Sequence, residues 1–348
     1  MRFLLPSLVL FFFSNAHSQI NNESLINRIN DNGPWYYCDK ILPSSDTTVF
    51  QILDNVDHSL GDRDNRSFSQ VIDLPDGQIA NNIALKLNLE CPDSGLCDHW
   101  DRLASIMIRD LDTNESFELA RYITPYRRGM CTITDVTPLA SLLQGNIEIT
   151  SFIDTYVGPG HESGDGWNLS AELWYLPTEN PDLESNKVIS IYPREEINLG
   201  VLSPEEIVSN ELNSEFFFEG NNQRVMAHLT ATGHGFGFTN NCAEFCELTH
   251  ILDINGMTYE INQWRKDCDS NPVSPQRGTW KYARNGWCPG AISTGDIIDI
   301  SDAIVEGINN VSIRIRLANG EEYINQEPTT GGWPNEHISL KLYVYNDR

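Results

Sequence analysis

Eight short stretches of this chain alternate apolar and polar residues, and they constrain its fold more than any other feature. They are "IALKLNLE", "ASIMIRD", "NIEITSFIDTYV", "NLSAELWYL", "RVMAHLTATG", "THILDING", "NNVSIRIRLA" and "ISLKLYVY". Successive side chains on a strand point to opposite faces, so Ile313, Ile315 and Leu317 share one face and Ser312, Arg314 and Arg316 the other. One buried and one wet face is the habit of antiparallel sheets. Gly, Pro, Asn and Asp clusters separate the stretches, and the pattern predicts an all-β protein of sandwiches or barrels. No repeat of solenoid period is present. One helix is expected over "LSPEEIVSNEL", with Ser203 as N-cap before Pro204 and two acids.

The first eighteen residues, "MRFLLPSLVLFFFSNAHS", have the form of a secretory signal. Arg2 precedes an apolar run, and Ala16-His17-Ser18 forms a small-residue cleavage motif. The run is too short for a membrane span, and no later window is apolar for the roughly 20 residues a spanning helix needs. An exported protein, secreted or periplasmic and with no membrane partner, is expected. The remaining chain exceeds one ordinary core, because domains run to about 100–200 residues. Its clearest linker is "LPTENPDLESNK", residues 176–187. The expected organisation is a signal peptide over 1–18, an N-terminal arm without strand pattern over 19–45, and β domains over 46–178 and 186–348.

Cleavage after residue 18 would remove one positive charge and no acid, taking the formal net charge from −26 to −27. Such a chain repels phosphate backbones, which argues against a nucleic-acid partner. The acids are dispersed, and their reading is solubility.

Eight cysteines in an exported chain point to disulfides. None forms a Cys-x-x-Cys pair backed by a second pair or by spaced histidines, and the histidines do not cluster, so neither a metal nor another cofactor is expected. "GHGFG" lacks the Lys-Ser/Thr of a phosphate loop, and no Gly-x-Ser-x-Gly elbow supplies a serine nucleophile. Carboxylate chemistry or plain binding remains.

On a strand, Cys242 and Cys246 would stand roughly 13 Å apart at ~3.3 Å per residue, against a disulfide limit of about 7 Å. If they are bonded, the backbone must turn tightly with Glu244 at its middle. The same holds for Cys91 and Cys97 around "PDSGL". Such a turn either holds a carboxylate ready for catalysis or is a structural knot carrying a solvated acid, and the spacing leaves both open. If strand geometry begins at Cys97, His99 and Asp101 share one face, and Asp98, Trp100 and Arg102 the other. Asp101 then either pairs structurally with Arg102 or His99, or acts chemically. Trp100, Trp167, Trp174, Trp280, Trp287 and Trp333 offer faces for sugar rings, although most are expected in the core or at its boundary.

Six motifs in one order carry a resemblance: "ECPDSGLCDHWDR", "RYITPY", "DVTPLASLLQGN", "FIDTY", "NCAEFC" and "RNGWCPG". With their cysteines they resemble the peptide:N-glycosidase F family, secreted bacterial amidases that remove N-linked glycans, over roughly residues 66–348. The resemblance implies two eight-stranded antiparallel jelly rolls packed side by side, with the active site at their interface. It implies disulfides Cys91–Cys97, Cys242–Cys246 and Cys268–Cys288. Cys38 and Cys131 lie outside that set; a bond between them, fastening the arm to the first domain, is expected, two free thiols being the alternative. The family's essential aspartate falls on Asp101, its glutamate between close cysteines on Glu244, and a third acid on Asp154. Trp100, Arg102, Tyr126, Tyr156, Arg284 and Trp287 fall on positions that line the cleft or hold the acids.

The implied reaction hydrolyses the amide between asparagine and the first N-acetylglucosamine of N-linked glycoproteins and glycopeptides, without a metal, in a monomer. Asp154 is one methylene shorter than the glutamate of the family's type member, and Leu103, Arg127 and His234 stand where that member has a tyrosine and two tryptophans. Alternatives are a non-catalytic jelly-roll module that binds glycans, a copper monooxygenase of similar form whose paired histidines are missing here, and a glycosidase cutting between sugars through paired acids.

Overall fold

Each alternating stretch of the sequence contains a strand, and in some of them burial follows the alternation. In Gly145–Ile153, for example, Ile147, Ile149, Ser151 and Ile153 are buried while their neighbours are partly exposed. The computed structural model describes residues 18–19, 25, 28–29, 33–36, 38, 41–75, 81–93, 96–177, 185, 187–199, 211–220, 223–235, 242–321 and 334–345. The signal segment up to residue 17, linker residues 178–184 and 186, Trp333, and the expected helix up to residue 210 lie outside them. The last two residues of that expected helix, Glu211 and Leu212, instead open the strand Glu211–Phe218.

The first half carries eight strands: Thr48–His58, Ser67–Leu74, Asn81–Glu90, Leu103–Asp110, Ser116–Ile123, Met130–Asp135, Gly145–Ile153 and Trp167–Pro177. The first, eighth, third and sixth pair in that order in one sheet, and the second, seventh, fourth and fifth in the other. The second half repeats this with Lys187–Asn198, Glu211–Phe218, Arg224–His234, Leu248–Ile254, Met257–Ile261, Asp296–Asp299, Gly307–Leu317 and Asn335–Tyr345. All these pairs are antiparallel, and each half is a jelly roll. Two separate apolar cores fill them, one around Leu85, Ile106 and Leu173, the other around Leu229, Ile313 and Leu340. The family resemblance implied this repeat; the sequence itself does not show it, because matching strands share only their alternation.

The arm is not strandless, as its sequence suggests. Ser18–Gln19 pairs in parallel with Ile41–Leu42, and Trp35–Tyr36 extends the sheet of the first jelly roll beside Met130–Asp135. The Cys38–Cys131 disulfide fixes it, with Leu25, Ile29 and Ile41 packed on Trp174 and Ile133.

A second added strand positions the site. Ala291–Ile292, from the second half of the chain, pairs with Ile123 and Tyr122 at the edge of the first jelly roll. On its other side Ile123 faces Leu103, two residues past Asp101. Buried polar contacts complete the junction. Arg121 is held by Glu118 at 2.9 Å through two nitrogens, and its Nη1 donates across to Thr232 Oγ1 at 3.0 Å and to the His337 carbonyl at 2.5 Å. Lys341 Nζ donates to the Glu118 carbonyl, and Arg194 Nη1 to Ser105 Oγ at 2.7 Å.

Candidate active site

The Cys91–Cys97 disulfide closes a loop with α-carbons 4.5 Å apart. Strand geometry does not begin there, as the sequence reading supposes. It begins at Leu103, because the chain from Asp98 to Arg102 wraps around the Asp98 carboxylate. That carboxylate is wholly buried and accepts from Arg102 Nε (2.7 Å) and Nη2 (3.3 Å), Thr155 Oγ1 (2.7 Å) and the Trp100 amide (3.0 Å). Arg102 is thereby engaged by Asp98, and Asp101 pairs with neither Arg102 nor His99. It turns toward the other jelly roll, where its Oδ2 lies 3.6 Å from Arg284 Nη2. This oxygen is buried and makes no hydrogen bond among the described residues.

From the other side comes the Cys242–Cys246 turn, with α-carbons 5.7 Å apart. Its backbone is anchored by the Glu244 amide donating to Gly235 and the Asn285 amide donating to Glu244. Glu244 Oε1 accepts from Arg284 Nε at 3.1 Å. Arg284 sits on the short strand Arg284–Asn285, paired with Trp264–Arg265, and is fully buried. The next residue, Gly286, has φ +81°, and a Cβ there would strike the Ala231 carbonyl. Only glycine therefore lets this ribbon lie so close to the second jelly roll.

One guanidinium is thus shared by two acids. Burial raises the Glu244 pKa to about 7; the Asp101 charge adds to this and Arg284 opposes it. Burial also raises Asp101, against Arg284 and the neighbouring Tyr126 hydroxyl. Cation and acids share water-poor surroundings, so their mutual interactions are stronger than at a surface.

The remaining residues named from the sequence fall into two groups. Tyr126, Trp287 and Trp100 belong with Arg284. The Tyr126 hydroxyl lies 3.4 Å from Arg284 Nη2 and 3.1 Å from Thr279 Oγ1. Trp287 is buried, its Nε1 donates to the Gly233 carbonyl at 2.6 Å, and its ring lies 4.8 Å from the guanidinium carbon. Trp100 is half exposed and meets Tyr126 edge-on, an apolar face at the rim. Asp154 and Tyr156 form the second group, just past the end of Gly145–Ile153. Asp154 accepts from the Tyr156 hydroxyl at 3.1 Å and lies 3.5 Å from Arg66 Nη1, while Arg102 and Arg66 stack on the Tyr156 ring. No hydrogen bond or ion pair among the described residues joins Asp154 to Asp101 or Glu244. Its link is through the backbone, the Asp154 amide donating to the Leu103 carbonyl.

Of the departures, Arg127 Nε donates to His99 Nδ1 at 3.2 Å, and His234 stacks on Trp287 at 5.2 Å. The other disulfide, Cys268–Cys288, braces the loop leading to Ala291.

Sequence reasoning gave no role to Asp98, Arg66, Phe245 or Glu336. A signal existed for Glu336: it lies in phase with Ile338, Leu340 and Leu342 on a buried face. It is fully buried and accepts from Asn285 Nδ2 and from His250 Nε2 at 3.3 Å, bracing the ribbon beside Arg284. Among the described residues, no group of three or more His, Cys, Asp or Glu side chains is arranged to hold a metal.

Comparison with known proteins adds the following. The family described as "Peptide-N-glycosidase F, C terminal" matches residues 204–337. Peptide-N(4)-(N-acetyl-beta-D-glucosaminyl)asparagine amidase F of Elizabethkingia miricola is 27% identical over 261 residues, covering 71% of this chain and 72% of its own. The solved structure of PNGase F from Flavobacterium meningosepticum, a glycosylasparaginase, superposes with TM-score 0.70 at 22% identity, over 87% of this chain and 97% of that one. PNGF-II superposes with TM-score 0.68 at 16% identity, over 88% and 69% of the two chains. The two superpositions bear on the fold, which they share with this chain.

Proposed function

We propose that this chain, similar to the peptide:N-glycosidase F family over residues 204–337 and to an amidase F at 27% identity, is a member of that family, and that its cleft hydrolyses the amide joining asparagine to the first N-acetylglucosamine of N-linked glycoproteins and glycopeptides. The observation that carries the proposal is the Asp101 carboxylate: buried, raised in pKa, facing Arg284, and with one oxygen free to accept. An unspent buried acceptor costs stability and is characteristic of functional sites.

Water, oriented by Asp101, adds to the side-chain carbonyl carbon while its proton passes to the carboxylate. The carbon–nitrogen bond then breaks, the nitrogen leaves as the glycosylamine with that proton, and asparagine becomes aspartate. Glu244 binds the sugar or bridges to it through water. Arg284 balances the charge of both acids and fixes their spacing, so the site is set before substrate arrives. Trp100 offers a face for a sugar ring. Asp154 and Tyr156, with Arg66 and Arg102, form the neighbouring wall.

The protein acts outside the cytoplasm, where four disulfides persist, as a monomer with domains over 46–178 and 186–348. The test is incubation with a denatured glycoprotein, with and without a chelator, followed by peptide mapping for asparagine converted to aspartate. Conversion by the wild type in both conditions and none by Asp101→Asn is expected. A glycan-binding module would convert nothing and would still bind after Asp101→Asn. Full activity of that variant would sink the assignment.

A further inference from the structure

A guanidinium directs all its N–H groups into its own plane, and its faces are weakly hydrated. Arg284 uses the plane completely. Nε serves Glu244, Nη1 donates to the carbonyls of Thr279 (3.0 Å) and Tyr282 (2.8 Å), and Nη2 donates to Thr279 Oγ1 (3.0 Å) and Tyr126 (3.4 Å) with Asp101 beside it. Two aromatic rings pack on what is left, Trp287 at 4.8 Å and Phe245 at 5.0 Å from the guanidinium carbon. Trp287 is 3% exposed and Phe245 36%, so Phe245 is the ring between Arg284 and solvent.

Among the described residues, Phe245 is in neither buried apolar cluster. It follows Glu244 inside the Cys242–Cys246 turn and leans edge-on against Tyr282, whose carbonyl Arg284 uses. A large apolar side chain held by a disulfide against a buried cation has a local task. We propose that Phe245 is a positioning residue which caps the Arg284 guanidinium, excluding water from the cation that Asp101 and Glu244 share. Covered cations attract π faces and carboxylates more strongly than wet ones.

The test uses the full-length protein labelled with 15N-arginine, with the Arg284 Nε–H resonance assigned through Arg284→Lys. Phe245→Leu removes the π face while staying apolar, Phe245→Met does so with a longer flexible chain, and Phe245→Tyr keeps the ring. In the first two, solvent exchange of the Arg284 Nε–H should rise about tenfold or more, roughly the size of a desolvated cation–π contact, and its ring-current shift should shrink. Phe245→Tyr should restore both. This readout needs no activity. Only the kinetic arm rests on the amidase reading: kcat/KM should fall about tenfold. Unchanged exchange and ring-current shift in Leu and Met variants that fold would overturn the cap. An inactive wild type with the expected exchange pattern would overturn the amidase reading and leave the cap standing.

Discussion

Arg102 Nε lies 2.7 Å from Asp98 Oδ2, and Asp98 has no exposed surface. That ion pair holds the turn from which Asp101 emerges, because the same carboxylate also takes the Trp100 amide and the Thr155 hydroxyl. Asp98→Ala would leave Arg102 without its counter-ion, and the Trp100 amide and Thr155 hydroxyl without an acceptor. Breaking one partner of a buried pair costs about 3–5 kcal/mol. Urea denaturation should show a loss of this order, and kcat should fall although Asp98 touches no substrate in the proposed reaction. Asp98→Asn, which keeps shape and loses charge, should fall between. Unchanged kcat in a folded Asp98→Ala would show that the turn does not aim Asp101.

Asp101 and Glu244 form a coupled pair across Arg284, and the charge of Asp101 helps raise Glu244 to about 7. Coupling is reciprocal, so an ionised Glu244 makes Asp101 a stronger base. Activity should therefore rise with pH through about 7. Glu244→Gln should shift the rise to lower pH and lower its plateau. Stability should run the opposite way. The folded-state pKa exceeds the ordinary value of 4.5, so the stabilising contribution is fully present below that value and is lost as pH climbs through about 7. Melting curves of wild type minus Glu244→Gln should show this decline between those limits. A flat difference would mean that Glu244 is not the titrating group.

Asp154 is the weaker of the sequence's three candidate acids in placement. Its carboxylate is about one-third exposed and tied to Arg66 and Tyr156. Asp154→Asn should lower kcat/KM by about tenfold or less, a loss of one solvent-screened contact, whereas Asp101→Asn should abolish turnover. Equal losses would make Asp154 a member of the central pair.

Arg121 and Glu118 are both buried where the two jelly rolls meet. Arg121→Met would leave the buried Glu118 carboxylate without its hydrogen-bonded counter-ion, and should cost about 3–5 kcal/mol. Because Asp101 and Glu244 come from opposite sides of that junction, activity should drop before global unfolding is reached in a denaturant series. Coincident loss of activity and structure would place the junction outside the function.

What the sequence made legible was local. Alternation gave the strands, because a half-buried strand shows its period in any short window. Cysteine spacing required that Cys242–Cys246, if bonded, be a tight turn with Glu244 at its middle. The motif "CDHWDR" held the right residues, but reading it as a strand put Asp98 and Arg102 together for the wrong reason. They meet because the chain curls around a buried carboxylate, a choice made by Thr155 and by loop geometry far along the sequence. Arg284 meets Asp101 across a junction to which Ala291–Ile292 contributes by pairing with the edge of the other jelly roll. Two-residue strands of this kind have no period to detect. Phe245 and Glu336 were silent because their partners, Arg284 and the His250–Asn285 pair, are brought to them by tertiary pairing.

Glu336 offers the most direct check of that tertiary layer. It lies on the buried face of Asn335–Tyr345, carries a pKa raised by burial, and accepts from His250 and Asn285. Asn285 also donates its amide to the Glu244 carbonyl, so Glu336 contacts the ribbon one residue from Arg284 and stands one contact away from the turn carrying Glu244. Glu336→Leu fills the space but strands two buried donors, each worth about 1–3 kcal/mol when unsatisfied. Glu336→Gln keeps an acceptor and should cost less. Urea denaturation should rank wild type above Glu336→Gln above Glu336→Leu. If Glu336 braces the site and not merely the core, Glu336→Gln should also lower kcat at a temperature where the variant is fully folded. Loss of stability with unchanged kcat would confine Glu336 to the second jelly roll's core.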